Sequence, residues 1–263
     1  MEGVLPHQAA QILSDARRVV IFTGAGISAE SGVPTFRDDL TGLWARFDAQ
    51  QLATAEAFHA DPDLVWGWYE WRRARVRRAE PNSGHLAITT IESRTPDTTV
   101  ITQNVDDLHE RAGTPAAIHL HGSLFTPRCV AVPAHPATFP DPPDGEAAEP
   151  HEGRRISPPR CASCRALVRP GVVWFGEALP EAALTAAVEA ATACDVLLTV
   201  GTSGVVYPAA EIPRIAAGSG ATVIQVNPQS TPLDRIATIN LRGTAAQVLP
   251  TLVAAAWRNC TST

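Results

Sequence analysis

An apolar run, Val19 to Phe22, leads into a glycine-rich turn, Gly24-Ala25-Gly26-Ile27-Ser28-Ala29-Glu30-Ser31-Gly32. A strand followed by such a turn lets backbone N–H groups approach a phosphate, because a missing Cβ permits both positive φ and close contact with a pyrophosphate. The spacing is not that of an ordinary dehydrogenase. Its third glycine would fall at Ala29, and no acidic residue closes a second strand about 20 residues on. Three further polar groups fall at or just past strand-like runs: Asn104 and Asp106 after Thr99–Thr102, and His121 after Ile118–Leu120. Asn and Asp there read equally as turn formers, and a lone histidine at a strand end fits a structural role. Imidazole is nonetheless a candidate base, since it titrates near neutrality. No Ser or Cys stands beside a His in a nucleophile elbow. Tyr69 and Arg72 lie three apart, hence on one face of the helix that Asp61-Pro62 begins.

These groups need a scaffold that gathers strand ends. Runs at Val19–Phe22, Thr99–Thr102, Ile118–His121, Val196–Val200 and Thr222–Val226 alternate with helix-like segments. That pattern predicts an α/β fold, a doubly wound, mostly parallel Rossmann-like sheet with a small inserted module. Sites in such sheets lie beyond the carboxyl ends of the strands, where Gly24, Gln103, His121, Gly201 and Asn227 fall. The expected organisation is a nucleotide-binding domain from residues 1–38, 96–126 and 171–263, a helical insertion at 39–95, and a small module at 127–170. The last has nine of the 22 prolines in its first 33 positions and too few apolar residues for its own core.

The whole string 24–37, which continues Val33-Pro34-Thr35-Phe36-Arg37, resembles the NAD-binding signature of the sirtuins, NAD-dependent protein lysine deacylases. Thr102-Gln103-Asn104-Val105-Asp106-Asp107-Leu108-His109, His121-Gly122, Val173-Trp174-Phe175-Gly176-Glu177, Gly201-Thr202-Ser203 and a strand ending at Asn227 follow in sirtuin order. The resemblance implies NAD as cofactor and acyl-lysine proteins as substrates. It implies that Gly24, Ala25, Gly26, Ile27, Ser28, Gly201, Thr202, Ser203 and Asn227 bind phosphates and ribose hydroxyls, and that the backbone near Ala245 reaches the adenine. Gln103 would contact the nicotinamide ribose, and Asn104, Val105 and Asp106 the nicotinamide. Phe36 and Arg37 would belong to a loop over the cofactor. The implied chemistry is attack of the acyl-lysine amide oxygen on C1′ of the nicotinamide ribose. His121 then acts as general base on a ribose hydroxyl, giving lysine and O-acyl-ADP-ribose. Val173, Phe175, Gly176 and Glu177 would pair with an extended substrate by β-augmentation.

Tyr-x-x-Arg at 69–72 resembles the acyl-pocket motif of the sirtuins that remove succinyl and malonyl groups, as do Ala53 and Thr54. A guanidinium holds a carboxylate bidentately while a phenol donates a third bond. Acetyl removal is left open. In sirtuins the 127–170 segment holds zinc on two Cys-x-x-Cys pairs. Here Cys161 and Cys164 form one pair, but Cys129 has Val132 at its pairing position. Either His135 or His151 completes a three-thiolate site, or the metal is lost and a proline-stiffened loop replaces it; the missing thiolate weighs toward loss. Rival readings are a protein ADP-ribosyltransferase using the same cleft and a non-catalytic NAD-binding regulator; retention of His121 argues for deacylation.

A formal charge of −6 argues against nucleic acid as a main partner. All 21 basic residues counted as Lys or Arg are Arg, so the protein has no lysine of its own to be acylated. Without a continuous apolar leader or an 18-residue apolar run, the chain is expected to be cytoplasmic, with reduced cysteines and no membrane partner.

Overall fold

The computed structural model describes residues 4–33, 48–131, 135–137 and 154–257. Six parallel strands form one sheet: β1 (Arg18–Thr23), β2 (Asp97–Thr102), β3 (Ile118–His119), β6 (Val196–Val200), β7 (Thr222–Val226) and β8 (Ile239–Leu241), in the order β3-β2-β1-β6-β7-β8. A second, two-stranded antiparallel sheet pairs β4 (Arg128–Cys129) with β5 (Val168–Arg169). The central strands read as nearly unbroken apolar runs because helices cover both faces, and β6 is buried along its whole length. Strand β8, which the sequence pattern did not single out, is only three residues long.

On one face α1 (Val4–Asp15), α5 (Ser83–Arg94) and α9 (Ala245–Ala256) pack Leu13, Ile88, Ile91, Leu249 and Leu252 against Ile21, Leu198 and Ile224. The sequence grouped α5 with the helical insertion, yet its Ala87, Ile88 and Ile91 lie in this main core. The other face takes α7 (Glu181–Ala193) and α8 (Ile212–Gly218), packed on Phe22, Ile101 and Leu197. Between β2 and β3 runs the short helix α6 (Leu108–Ala112).

A third cluster joins α2 (Ala49–Leu52), α3 (Ala55–Ala60) and α4 (Pro62–Arg78) to the segment before α7, through Phe58, Trp68, Tyr69, Val172 and Trp174. Helix α4 starts where the sequence signals it: Asp61 accepts from the Leu64 amide at 3.1 Å and Pro62 fills the first turn. Trp66 of α4 also packs with Cys129, Cys161 and Val168, so one helix carries both the Tyr69 face and the seat of the small module.

Candidate functional site

The sheet reverses its winding at β1, with β2 on one side and β6 on the other, and the crevice beyond those strand ends is where such folds bind ligands. Gly24 N–H donates to Val200 O at 3.0 Å, Gly26 N–H to Gly201 O at 2.8 Å, and Gly201 N–H to Val226 O at 3.0 Å. The turns after β1, β6 and β7 are thereby stitched into one floor. A Cβ on Gly26 would stand 2.7 Å from the Gly201 backbone, and Gly201 itself has φ +61°, so this close approach requires glycine at both positions. Above it, Gln103 Nε2 donates to Thr202 Oγ1 at 2.8 Å and Asn227 Nδ2 to Thr202 O at 2.9 Å. Ser203 is half-buried beside them, and Ala25 and Ile27 form the turn between the glycine and Ser28. Ala245 begins α9 and is buried against Gly84 of α5.

Ser28 is the hinge of a buried polar cluster. Its hydroxyl donates to Asp106 Oδ2 at 2.9 Å and accepts from Asn104 Nδ2 at 3.0 Å. Burial, partly offset by the Leu108 amide and the Ser28 hydroxyl, holds the Asp106 pKa above its usual range. Val105 is half-buried between the two polar residues, its carbonyl accepting from Leu124 N–H at 2.9 Å. Asn82 was missed by the sequence reading: its Nδ2 donates to Ile27 O at 2.7 Å and to Ser31 Oγ at 3.0 Å, bracing the glycine turn. The signal was its place before α5, where it also caps Gly84.

His121 Nδ1 lies 2.9 Å from Gln103 O. A carbonyl only accepts, so Nδ1 carries the proton and Nε2 keeps a free lone pair. Burial lowers the His121 pKa, opposed by that bond, and so favours the neutral ring. The carbonyl of His121 accepts from Val173 N–H at 2.8 Å, and Phe175 N–H donates to Ala53 O at 2.9 Å. Residues 172–175 thus run from the base to the small residue of the helical layer, with the Phe175 side chain exposed and Gly176 at φ +85°. The Glu177 side chain is taken up by contacts within the protein. Its carboxylate accepts from Arg169 at 2.5 and 3.0 Å, from Arg128 at 3.0 Å and from the Trp174 amide at 2.9 Å. It ties both strands of the small sheet to the 172–177 segment.

Tyr69 and Arg72 do share a face of α4. Trp174 Nε1 donates to Tyr69 Oη at 3.1 Å, and the Arg72 guanidinium sits 5.1 Å from the Trp68 ring centroid. Burial pushes the Tyr69 phenol up to about 12, with Arg72 opposing, so it stays a donor. Burial also lowers the Arg72 pKa, and Tyr69 and Asp106 act against that shift, which sets Arg72 within electrostatic reach of the Ser28 cluster.

The small module brings together a ligand set of the kind that a three-thiolate site completed by His135 would need. Cys129, His135, Cys161 and Cys164 bring one ligand atom each to within 4.8 Å of one another. The Cys129 and Cys164 sulfurs are 3.1 Å apart, and His135 Nε2 is 3.5 Å from Cys161 Sγ. Tetrahedral zinc, with bonds of about 2.0–2.3 Å, separates its ligand atoms by about 3.3–3.8 Å. The three thiolates and one imidazole therefore fit that ion, with His135 in place of the missing cysteine. Val132, His151, Phe36 and Arg37 lie outside the described residues.

The Sir2 family model matches residues 24–208, which hold the glycine turn, the Ser28 cluster, His121 and the 172–177 segment. The chain belongs to the Sir2 family. This Sir2 protein is 58% identical over 247 residues to an NAD-dependent protein deacylase of Methylococcus capsulatus, covering 94% of this chain and 95% of that one. It is 57% identical over 244 residues to NAD-dependent protein deacylase 1 of Pseudomonas aeruginosa, covering 92% and 96%. Among solved structures it resembles a Sir2 homologue–NAD complex, with TM-score 0.84 and 42% identity over 95% of this chain and 93% of that one. A Sir2–p53 peptide–NAD complex aligns with TM-score 0.75 and 30% identity over 91% and 93%. No described helix is long and apolar enough to cross a membrane.

Proposed function

We propose that this chain, an NAD-dependent protein deacylase by its family and relatives, removes succinyl and malonyl groups from lysine side chains. The observation that carries the acyl preference is the shared face of Tyr69 and Arg72, with the phenol oxygen already accepting from Trp174. That bond leaves the phenol proton to be given to a distal carboxylate, which the Arg72 guanidinium holds by charge and a planar fork.

Bound NAD supplies the electrophilic ribose carbon and the nicotinamide leaving group. The stitching of the turns at Gly24–Ser28 and Gly201–Asn227 shapes the floor under its phosphates, which, with the ribose hydroxyls, would be held by small polar side chains such as Ser203 and Asn227 and by the backbone N–H groups that the stitching leaves unspent. Asn104 and Asp106, preorganised through Ser28, accept and donate to the carboxamide without further reorganisation. His121 Nε2 takes a proton from a ribose hydroxyl, its ring orientation fixed through Nδ1 and Gln103. The exposed edge near Phe175 pairs with the peptide in an extended conformation. Cys129, His135, Cys161 and Cys164 would hold zinc in a structural part, closing the module whose Arg128 and Arg169 grip Glu177 beside the proposed substrate edge.

Incubating the protein with NAD and matched succinyl-, malonyl- and acetyl-lysine peptides, with mass spectrometry of the products, tests this reading. Acidic acyl groups should appear on O-acyl-ADP-ribose with the higher kcat/KM. A clear preference for acetyl would overturn the specificity, and ADP-ribose on protein without deacylated peptide would favour transfer.

A further inference from the structure

We propose that His119 is a positioning residue for the cofactor site: as an imidazolium clamped to Glu110, it fixes the Asn104 peptide on which nicotinamide recognition depends. The proposal rests on the assignment of Asn104 and Asp106 to that site.

His119 ends β3 and His121 lies two residues on, and the two rings address consecutive carbonyls of one loop. His121 Nδ1–H donates to Gln103 O at 2.9 Å, and His119 Nδ1–H donates to Asn104 O at 3.1 Å. Their second nitrogens differ. That of His121 has no partner among the described residues, whereas His119 Nε2 lies 2.8 Å from Glu110 Oε1 on α6. Both nitrogens of His119 therefore face groups that only accept, and a doubly protonated ring alone satisfies both bonds.

The charge state follows from the surroundings as well. Burial works against the cation, but the Glu110 carboxylate, the Asn104 carbonyl and Asp106 outweigh it and raise the His119 pKa. Across α6, His109 is neutral because burial depresses its pKa. The charged residues of α7, which also packs against β3, are Glu181 and Glu189, and on β2 Asp97 stands five residues from the strand's His119 partner, Thr102.

The residue that the clamp holds is fixed at three points. Asn104 N–H donates to Thr102 Oγ1 at 3.0 Å, its carbonyl is gripped by His119, and its side chain reaches Ser28 and through it Asp106. Loss of the proton leaves a neutral ring able to serve only one of its two acceptors. In competition with a carboxylate, the Asn104 carbonyl loses its donor, the peptide gains freedom, and the carboxamide partners go out of register.

The test is NAD affinity against pH. NAD binding by calorimetry, KM for NAD, and the His119 ring titration by NMR are followed from pH 6 to 9 in the parent, Glu110→Gln and His119→Gln. In the parent, Kd and KM for NAD should be flat while His119 is charged and weaken roughly tenfold as its proton leaves, the scale of one charge-assisted hydrogen bond. Glu110→Gln should lower the NMR pKa of His119 and move the affinity limb to lower pH by the same interval. His119→Gln keeps a donor for Asn104 but cannot titrate, and should flatten the limb. A merely structural role would move none of these limbs. An affinity flat through the His119 titration, a limb unmoved by Glu110→Gln, or a ring that titrates below pH 6.5 in the parent would overturn the proposal. If NAD affinity follows His119 while acyl-lysine peptides are not turned over, the clamp stands and the deacylase reading of the site falls.

Discussion

Trp174 Nε1 donates to the Tyr69 hydroxyl at 3.1 Å, so the segment expected to pair with substrate also orients the phenol of the proposed acyl pocket. Trp174 is itself buried, lies 5.3 Å from the Phe58 ring, and supports the Arg169 guanidinium 3.3 Å from its ring centroid. One indole thus joins the helical layer, the 172–177 segment and the small module.

Acyl selectivity should therefore respond to three substitutions in one direction. Arg72→Met should raise KM for a succinyl-lysine peptide roughly 10- to 100-fold, the worth of a buried charge-assisted bond of about 1.5–3 kcal/mol, and leave acetyl turnover unchanged or improved. Tyr69→Phe and Trp174→Phe should shift the succinyl-to-acetyl ratio the same way, but less. Equal losses for both peptides in Arg72→Met would point to a structural role for this face.

His121→Ala should lower kcat by about 10²- to 10⁴-fold, the usual contribution of a general base, while the NAD dissociation constant changes little. Burial lowers the His121 pKa below the ordinary imidazole value of about 6.5. The acid limb of kcat should lie below that value and vanish in the variant. Activity of His121→Ala within twofold of the parent would contradict the assignment.

Purified protein should contain close to one zinc per chain by elemental analysis, and Cys161→Ser should remove it. Chelation should raise KM for the acyl peptide more than Kd for NAD, because Arg128 and Arg169 of the small sheet are the groups that hold Glu177. An undetectable metal content in protein purified without chelator would restore the reading of a metal-free loop.

Two buried histidines should make the fold acid-sensitive. Burial lowers His85 to about 4 and His109 to about 3. Their folded pKa values are depressed, so the unfolded chain binds the extra protons. The stability they support is complete above about pH 6.5 and is lost as pH falls toward the folded values. Urea unfolding between pH 7 and 4.5 should show up to about 1.4 kcal/mol lost per pH unit for each ring. His119, whose folded pKa is raised, contributes the opposite slope, with its stability fully present below about pH 6.5 and lost above its folded pKa. His85→Gln should flatten the acid slope; an unchanged slope would show that this ring titrates freely.

What the sequence determined by itself is everything set by neighbours along the chain. The apolar runs and the turn after Phe22 define parallel strands and a glycine-rich loop, Asp61-Pro62 starts α4, and spacing alone puts Tyr69 and Arg72 on one face. The motif residues Gly24, Gln103, Asn104, His121 and Gly201 could be assigned to one crevice because parallel strands present their carboxyl ends on one side of the sheet. Tertiary structure decided the rest. His135 reaches Cys161 across 26 residues, the His119 pKa is raised because α6 delivers Glu110 to it, and the Glu177 carboxylate meets two arginines on a separate sheet. Local periodicity encodes which face a side chain takes. Which donor meets which acceptor depends on how elements pack, and no spacing in a proline-rich loop specifies where its histidine arrives.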